Sequence, residues 1–124
     1  MLKSRSLLAV FTGGFSIASV HAQHIEVDRA RALLENGSVY AQRGHHAPAL
    51  ESYRRAIAIL EDVPQTRDVI EWRARGHIAI AAYASAQGRC REFHRAMEFA
   101  SMASAPALHD VARKHLIDEG CTGR

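Results

Sequence analysis

Apolar residues recur along the chain at spacings of three and four, which is the pattern of amphipathic helices rather than strands. The pattern runs from residue 25 almost to the end, and alanine is abundant within it. Glycine- or proline-containing segments interrupt it four times, near residues 44, 64, 88 and 105. It therefore predicts five helices joined by short turns and packed as antiparallel hairpins in an all-α fold.

The predicted helix ends coincide with residues that suit them. Pro48 fits a first turn, where its missing N–H is not needed. Thr66 or Asp68 suits the start of the third helix, and Gly88 suits its C-terminal cap. The five helices are expected over residues 25–43, 48–62, 66–88, 90–103 and 106–120.

The first 22 residues have the features of a secretory signal. Lys3 and Arg5 form a basic start, an apolar stretch follows, and Val20-His21-Ala22 places compact residues where a signal peptidase cuts. The alternative interpretation is a membrane span. The stretch contains Thr, Gly and Ser, however, and falls short of the roughly 20 apolar residues that a span needs. We therefore predict a signal peptide over 1–22 and a helical domain over 23–121, in a bacterial periplasm or outside the cell.

Charge adds little to this picture. The formal net charge of the chain is +3. Cleavage would remove Lys3 and Arg5 and no acid, so the remaining protein would be close to neutral. A near-neutral surface without a basic stripe argues against a nucleic-acid partner. The remaining length suits one domain with a modest core.

The chain contains two cysteines, Cys90 and Cys121. In an oxidising compartment, an even pair in a small domain usually forms a disulfide. Thiolate ligation of a metal is the alternative, since Cys90 and His94 lie one helical turn apart. We predict the disulfide.

Sequence motifs for catalysis are missing: there is no Gly-rich phosphate loop, no nucleophile elbow and no helix with two His flanking a Glu. We therefore predict neither an enzyme nor a bound cofactor. Histidines offer the main alternative function, a periplasmic metal (copper or zinc) or haem-binding protein. The residues for that role are His24, His45, His46 and His94. We favour turn polarity for His45 and His46 and solvation for His94.

The stretch from Ala30 to Leu60 resembles a tetratricopeptide repeat. The residues at the spacing of that motif are Gly37, Tyr40, Gly44, Ala49, Tyr53 and Ala56. A degenerate second copy follows at an offset of 44 residues if Gly88 is aligned with Gly44, against the usual period of 34. The resemblance implies about two helix pairs and a polar-faced capping helix, which a Cys90–Cys121 bridge would join to the last pair.

Such arrays bind extended peptides or protein partners along the surface formed by the first helix of each pair. The corresponding residues here are Arg31, Leu34, Ser38, Ala41 and Gln42, followed by Arg75, Ile78, Ala82, Ser85 and Ala86. Arg31 and Arg75 suit a carboxylate, although Arg75 also has a local partner in Glu71. The resemblance implies an exported interaction module or adaptor, and two repeats favour a homo-oligomer or a larger envelope assembly. Trp72 and Tyr83 are expected to fill the core or an interface.

Overall fold

The computed structural model describes residues 17–121, which form five α-helices and no strand. The helices are α1 (Ile17–Gln42), α2 (His46–Glu61), α3 (Arg67–Ala81), α4 (Ala86–Met102) and α5 (Pro106–Asp118). Consecutive helices are joined by short turns, and α1 with α2, α3 with α4 and α4 with α5 form the closest pairs. The predicted all-α fold is confirmed.

Most of the predicted signal peptide, residues 1–16, lies outside the described residues. Helix α1 begins at Ile17 rather than at Ile25, so it includes the last residues of the predicted signal. Among the helices of residues 17–121, none is long and apolar enough to cross a membrane.

Small residues bring α1 and α2 into close contact. Ala30, Ala49 and Ala56 are fully buried. A Cβ atom at Gly37 would lie 2.5 Å from Cε1 of Tyr53, closer than carbon atoms approach, so only glycine fits beneath this ring. The resulting proximity lets Ser52 Oγ donate a hydrogen bond of 2.7 Å to the Leu33 carbonyl.

The turn between α3 and α4 differs from the sequence prediction. Helix α3 ends at Ala81, and the expectation that it continues to Gly88 is wrong. Ser85 is the N-cap of α4, and its Oγ accepts a hydrogen bond of 3.2 Å from the Gly88 N–H. Because Ser85 satisfies a first-turn donor, Gly88 belongs to the start of α4 rather than to the end of α3.

Five pairs of positions at the predicted offset of 44 residues are buried in both hairpins, although Ile57 and Leu60 are buried and their counterparts Ser101 and Ser104 are exposed. Buried at both positions are the pairs Ala30 and Ala74, Gly37 and Ala81, Ala49 and Phe93, Ser52 and Ala96, and Ala56 and Ala100. The second turn lies about one helical turn earlier in this alignment. The two hairpins therefore share some of their buried positions but not the position of their turn.

Helix α5 is attached to α4 covalently and by stacking. Cys90 in α4 and Cys121 after α5 form a disulfide with a Cα–Cα distance of 5.7 Å, which confirms the predicted bridge. The rings of Phe93 and His115 stack with centroids 4.6 Å apart. Leu116 is buried between them and α3. The last helix thus covers one side of the second hairpin.

Candidate binding site

Two predicted arginines, one from α1 and one from α3, converge on the same aromatic side chain. The guanidinium carbon of Arg31 lies 5.0 Å from the ring centroid of Trp72, and that of Arg75 lies 5.3 Å from it. Both distances fall within the range of cation–π interactions. The indole therefore holds the two cations near each other at the junction of the hairpins.

The position of Trp72 follows from the close approach of α3 to the first hairpin. Gly76, one turn further along α3, lies against Leu34 of α1 and Ile57 of α2. A Cβ there would overlap the Ile57 side chain and lie 3.6 Å from Leu34 Cδ2. Trp72 itself is half-buried against the core of the first hairpin. The ring packs against this core on one side, and the side chain as a whole is partly exposed.

Local carboxylates only weakly occupy the two guanidinium groups. Arg31 lies 3.8 Å from Asp28, and Arg75 lies 3.9 Å from Glu71, the local partner considered from the sequence. These N···O separations exceed hydrogen-bond length. The arginine side chains are 46 % and 47 % exposed, so solvent screens both pairs. Each guanidinium retains donors that can reach a ligand.

The chemistry of this cluster suits a carboxylate group attached to an apolar body. A guanidinium binds a carboxylate through two parallel N–H donors, and stacking on an aromatic ring limits the orientations that the guanidinium adopts. The exposed part of the indole offers an apolar surface beside these donors. The cluster of Arg31, Trp72 and Arg75 therefore combines charge recognition with an apolar contact.

Of the remaining predicted residues on α1, Leu34 contributes to the core, where it is 7 % exposed. Ser38 Oγ donates to the Leu34 carbonyl at 3.2 Å and accepts from Tyr53 Oη at 3.4 Å. Gln42 is exposed at the end of α1. Ser38 and Gln42 share the α1 surface with Arg31, because they follow it at helical spacings.

The remaining predicted residues of the second hairpin lie elsewhere. Ile78 is half-buried and packs with Phe93 and Leu116, on the side of α3 that faces α4 and α5. Ser85 caps α4. The structure therefore brings Arg31 and Arg75 together but assigns Ile78 and Ser85 packing and capping contacts.

Two of the histidines considered as metal ligands lie beside aromatic rings. His45 lies beside Tyr40, and His46 lies over Tyr83 with the ring centroids 5.6 Å apart. Burial, with a smaller contribution from Tyr53, raises the pKa of Tyr83 above its usual 10.0. Within residues 17–121, His, Cys, Asp and Glu side chains form no group of three or more that could hold a metal ion.

A buried polar pair was not anticipated from the sequence. His77 Nδ1 lies 2.6 Å from Glu92 Oε2, and the two side chains are only 7 % and 19 % exposed. The His77 ring also stacks on Phe99. No local spacing relates a residue of α3 to one of α4, so the pair became visible only once the hairpin was known.

The role of Trp72 was also missed, because an aromatic residue at helical spacing is usually a core residue. Its spacing of three from Arg75 places both on one face of α3, a signal present in the sequence. The contact with Arg31 depends on the packing of α3 against α1. No family model, curated protein or solved structure matches the chain.

Proposed function

We propose that the protein is an exported, tetratricopeptide-like interaction module that binds a peptide segment of a protein partner. The ligand lies along the surface of α1 and α3, and a carboxylate of the peptide binds Arg31 and Arg75 beside Trp72. The module acts as an adaptor without catalytic chemistry of its own.

The correspondence of the two hairpins supports the repeat interpretation. Five pairs of buried positions match at the 44-residue offset, and most of these residues are small. Stacked hairpins of this kind create extended surfaces on which peptides are recognised. The first helix of each hairpin supplies one of the two arginines.

The disulfide supports export. Cys90 and Cys121 are paired, and structural disulfides persist mainly in oxidising compartments such as the bacterial periplasm. The basic and apolar start of the sequence agrees with this location.

The convergence of Arg31 and Arg75 on Trp72 is the observation that carries the proposal. Both residues belong to the set implied by the repeat resemblance. Both arginines lie over the same indole, are about half exposed and are only weakly paired with local carboxylates. A pair of arginines that binds a carboxylate requires these features.

The proposal is tested by binding of acidic peptides with a free C-terminus, followed by the fluorescence of Trp72, the only tryptophan of the chain. Candidate peptides come from partners captured by a photo-crosslinker placed at Gln42 in the producing cell. Arg31→Glu and Arg75→Glu should each weaken binding about tenfold or more, because each removes a charge-assisted contact of about 1.5–3 kcal/mol.

The matched control is the double variant Arg54→Glu, Arg55→Glu, which makes the same charge change on the exposed face of α2. It should bind like the wild type. Equal binding and crosslinking by the wild type and the Arg31→Glu, Arg75→Glu protein would refute the site.

A further inference from the structure

The outer face of α1 carries a regular stripe of apolar and acidic residues. Ile25, Ala32 and Val39 recur every seven residues, and Asp28 and Glu35 lie between them at the same repeat. All five are exposed: Ile25 is 64 % and Val39 is 42 % accessible. Residues at this spacing share one face of a helix, so they form a continuous surface, the α1 stripe.

The equivalent face of α3 is a packing face. At the 44-residue offset, Ile25, Asp28, Ala32 and Val39 correspond to Val69, Trp72, Gly76 and Tyr83. Val69, Trp72 and Gly76 in α3, and Tyr83 in the turn after it, pack against the first hairpin. In α1, within residues 17–121, the same face is exposed.

A groove between α4 and α5 lies at the other end of the helix array. It encloses about 480 Å³, and its floor includes Met97, Leu116 and the Cys121 half of the disulfide. Ile117 on its edge is 52 % exposed.

The polar residues of this groove are complementary to the α1 stripe. Within residues 17–121, the side chains lining it include His94, His109 and Arg113 but no carboxylate. Asp110 lies beside the groove, 3.9 Å from His109. The α1 stripe offers apolar side chains for the floor, and Asp28, whose side chain is 75 % exposed, for Arg113.

We infer that the chain associates head to tail, with the α1 stripe of one copy occupying the α4–α5 groove of the next. The contact pairs the exposed acidic and apolar side chains of the stripe with the cationic and apolar lining of the groove. It joins two different surfaces, so it is heterologous and produces a ring or an open chain of copies. The inference does not depend on peptide binding at Arg31 and Arg75.

The test uses the expressed full chain, with its mass recorded so that any processing of the N-terminus is known. Light scattering after gel filtration, over a series of concentrations, should show a mass that rises above that of the monomer. Ile25→Glu on the stripe and Ile117→Glu in the groove should each give monomers, because each places a charge in the apolar contact.

Mixing the two variants distinguishes a head-to-tail contact from a symmetric one. The Ile117→Glu protein retains an intact stripe, and the Ile25→Glu protein retains an intact groove. An equimolar mixture should therefore form a dimer and nothing larger. Asp28→Arg combined with Arg113→Asp should restore association that each change alone weakens.

Ala58→Glu on the exposed face of α2 is the control and should associate like the wild type. Circular dichroism and thermal melting establish that all variants are folded. A wild type that stays monomeric at all concentrations would overturn the inference. A mixture of the Ile25→Glu and Ile117→Glu proteins that remains monomeric would overturn the head-to-tail contact.

Discussion

Gly37 determines how closely α1 and α2 pack, because the Tyr53 ring occupies the space where a Cβ would be. We expect Gly37→Ala to lower the free energy of unfolding by about 1–3 kcal/mol, since an overpacked contact must be relieved by moving a ring or a helix. Urea denaturation followed by circular dichroism measures the difference.

Asn36→Ala, on the exposed side of the same turn of α1, is the matched control for this glycine. It should be neutral or slightly stabilising, because alanine has the higher helix propensity. A Gly37→Ala protein with the same free energy of unfolding as the wild type would mean that α1 and α2 are not held at the distance seen at Gly37.

His77 and Glu92 are a second pair of residues with a measurable role, since both are largely buried and 2.6 Å apart. Glu92→Ala should lower the free energy of unfolding by about 1–3 kcal/mol, because it leaves the buried imidazole without its partner. Denaturation of Glu98→Ala, a truncation on the exposed face of the same helix, provides the comparison. Similar losses of unfolding free energy in Glu92→Ala and Glu98→Ala would contradict a stabilising role for the His77–Glu92 pair.

At the scale of single elements, Ser85 stabilises the start of α4 and is not part of the proposed binding cluster. Its hydroxyl caps α4, so Ser85→Ala should lower the free energy of unfolding by about 0.5–2 kcal/mol. The variant should bind peptides as the wild type does, because Ser85 lies outside the Arg31, Trp72 and Arg75 cluster. Ser101→Ala, an exposed position in α4, should change neither property.

The attachment of α5 depends on the disulfide. The two cysteines are separated by 31 residues, and opening a loop of this length is expected to cost about 3–4 kcal/mol in the chain-entropy model. Adding a reductant should therefore lower the urea midpoint and increase hydrogen exchange in α5. The Cys90→Ala, Cys121→Ala protein should be less stable and insensitive to reductant; unchanged exchange in α5 after reduction would contradict the expectation.

The helix boundaries show which local signals the sequence carried. Pro48 and Thr66 lie near helix starts as predicted, and small residues identified the contact faces. The end of α3 was misplaced because glycine suits a helix C-terminus, whereas here Gly88 donates its N–H to Ser85. A serine three residues before a glycine was the overlooked capping signal.

At the scale of the whole molecule, the all-α class and the disulfide were predictable, because both depend on periodicity and on a pair of cysteines. The binding cluster was only partly predictable. Arg31 and Arg75 followed from the repeat resemblance, but Trp72 joins them only through the packing of α3 on α1. His77 and Glu92 were unpredictable for the same reason, since neither residue signals its partner.

The bridge between Cys90 and Cys121 encloses the exposed turn at Ser104, between α4 and α5. A protease that cuts the backbone at this turn produces two polypeptides that remain one covalent molecule. On a non-reducing gel such a cut leaves the mobility almost unchanged, and thiol treatment releases the C-terminal fragment. Wherever proteases are abundant, the last helix is therefore retained after a cleavage that would otherwise release it.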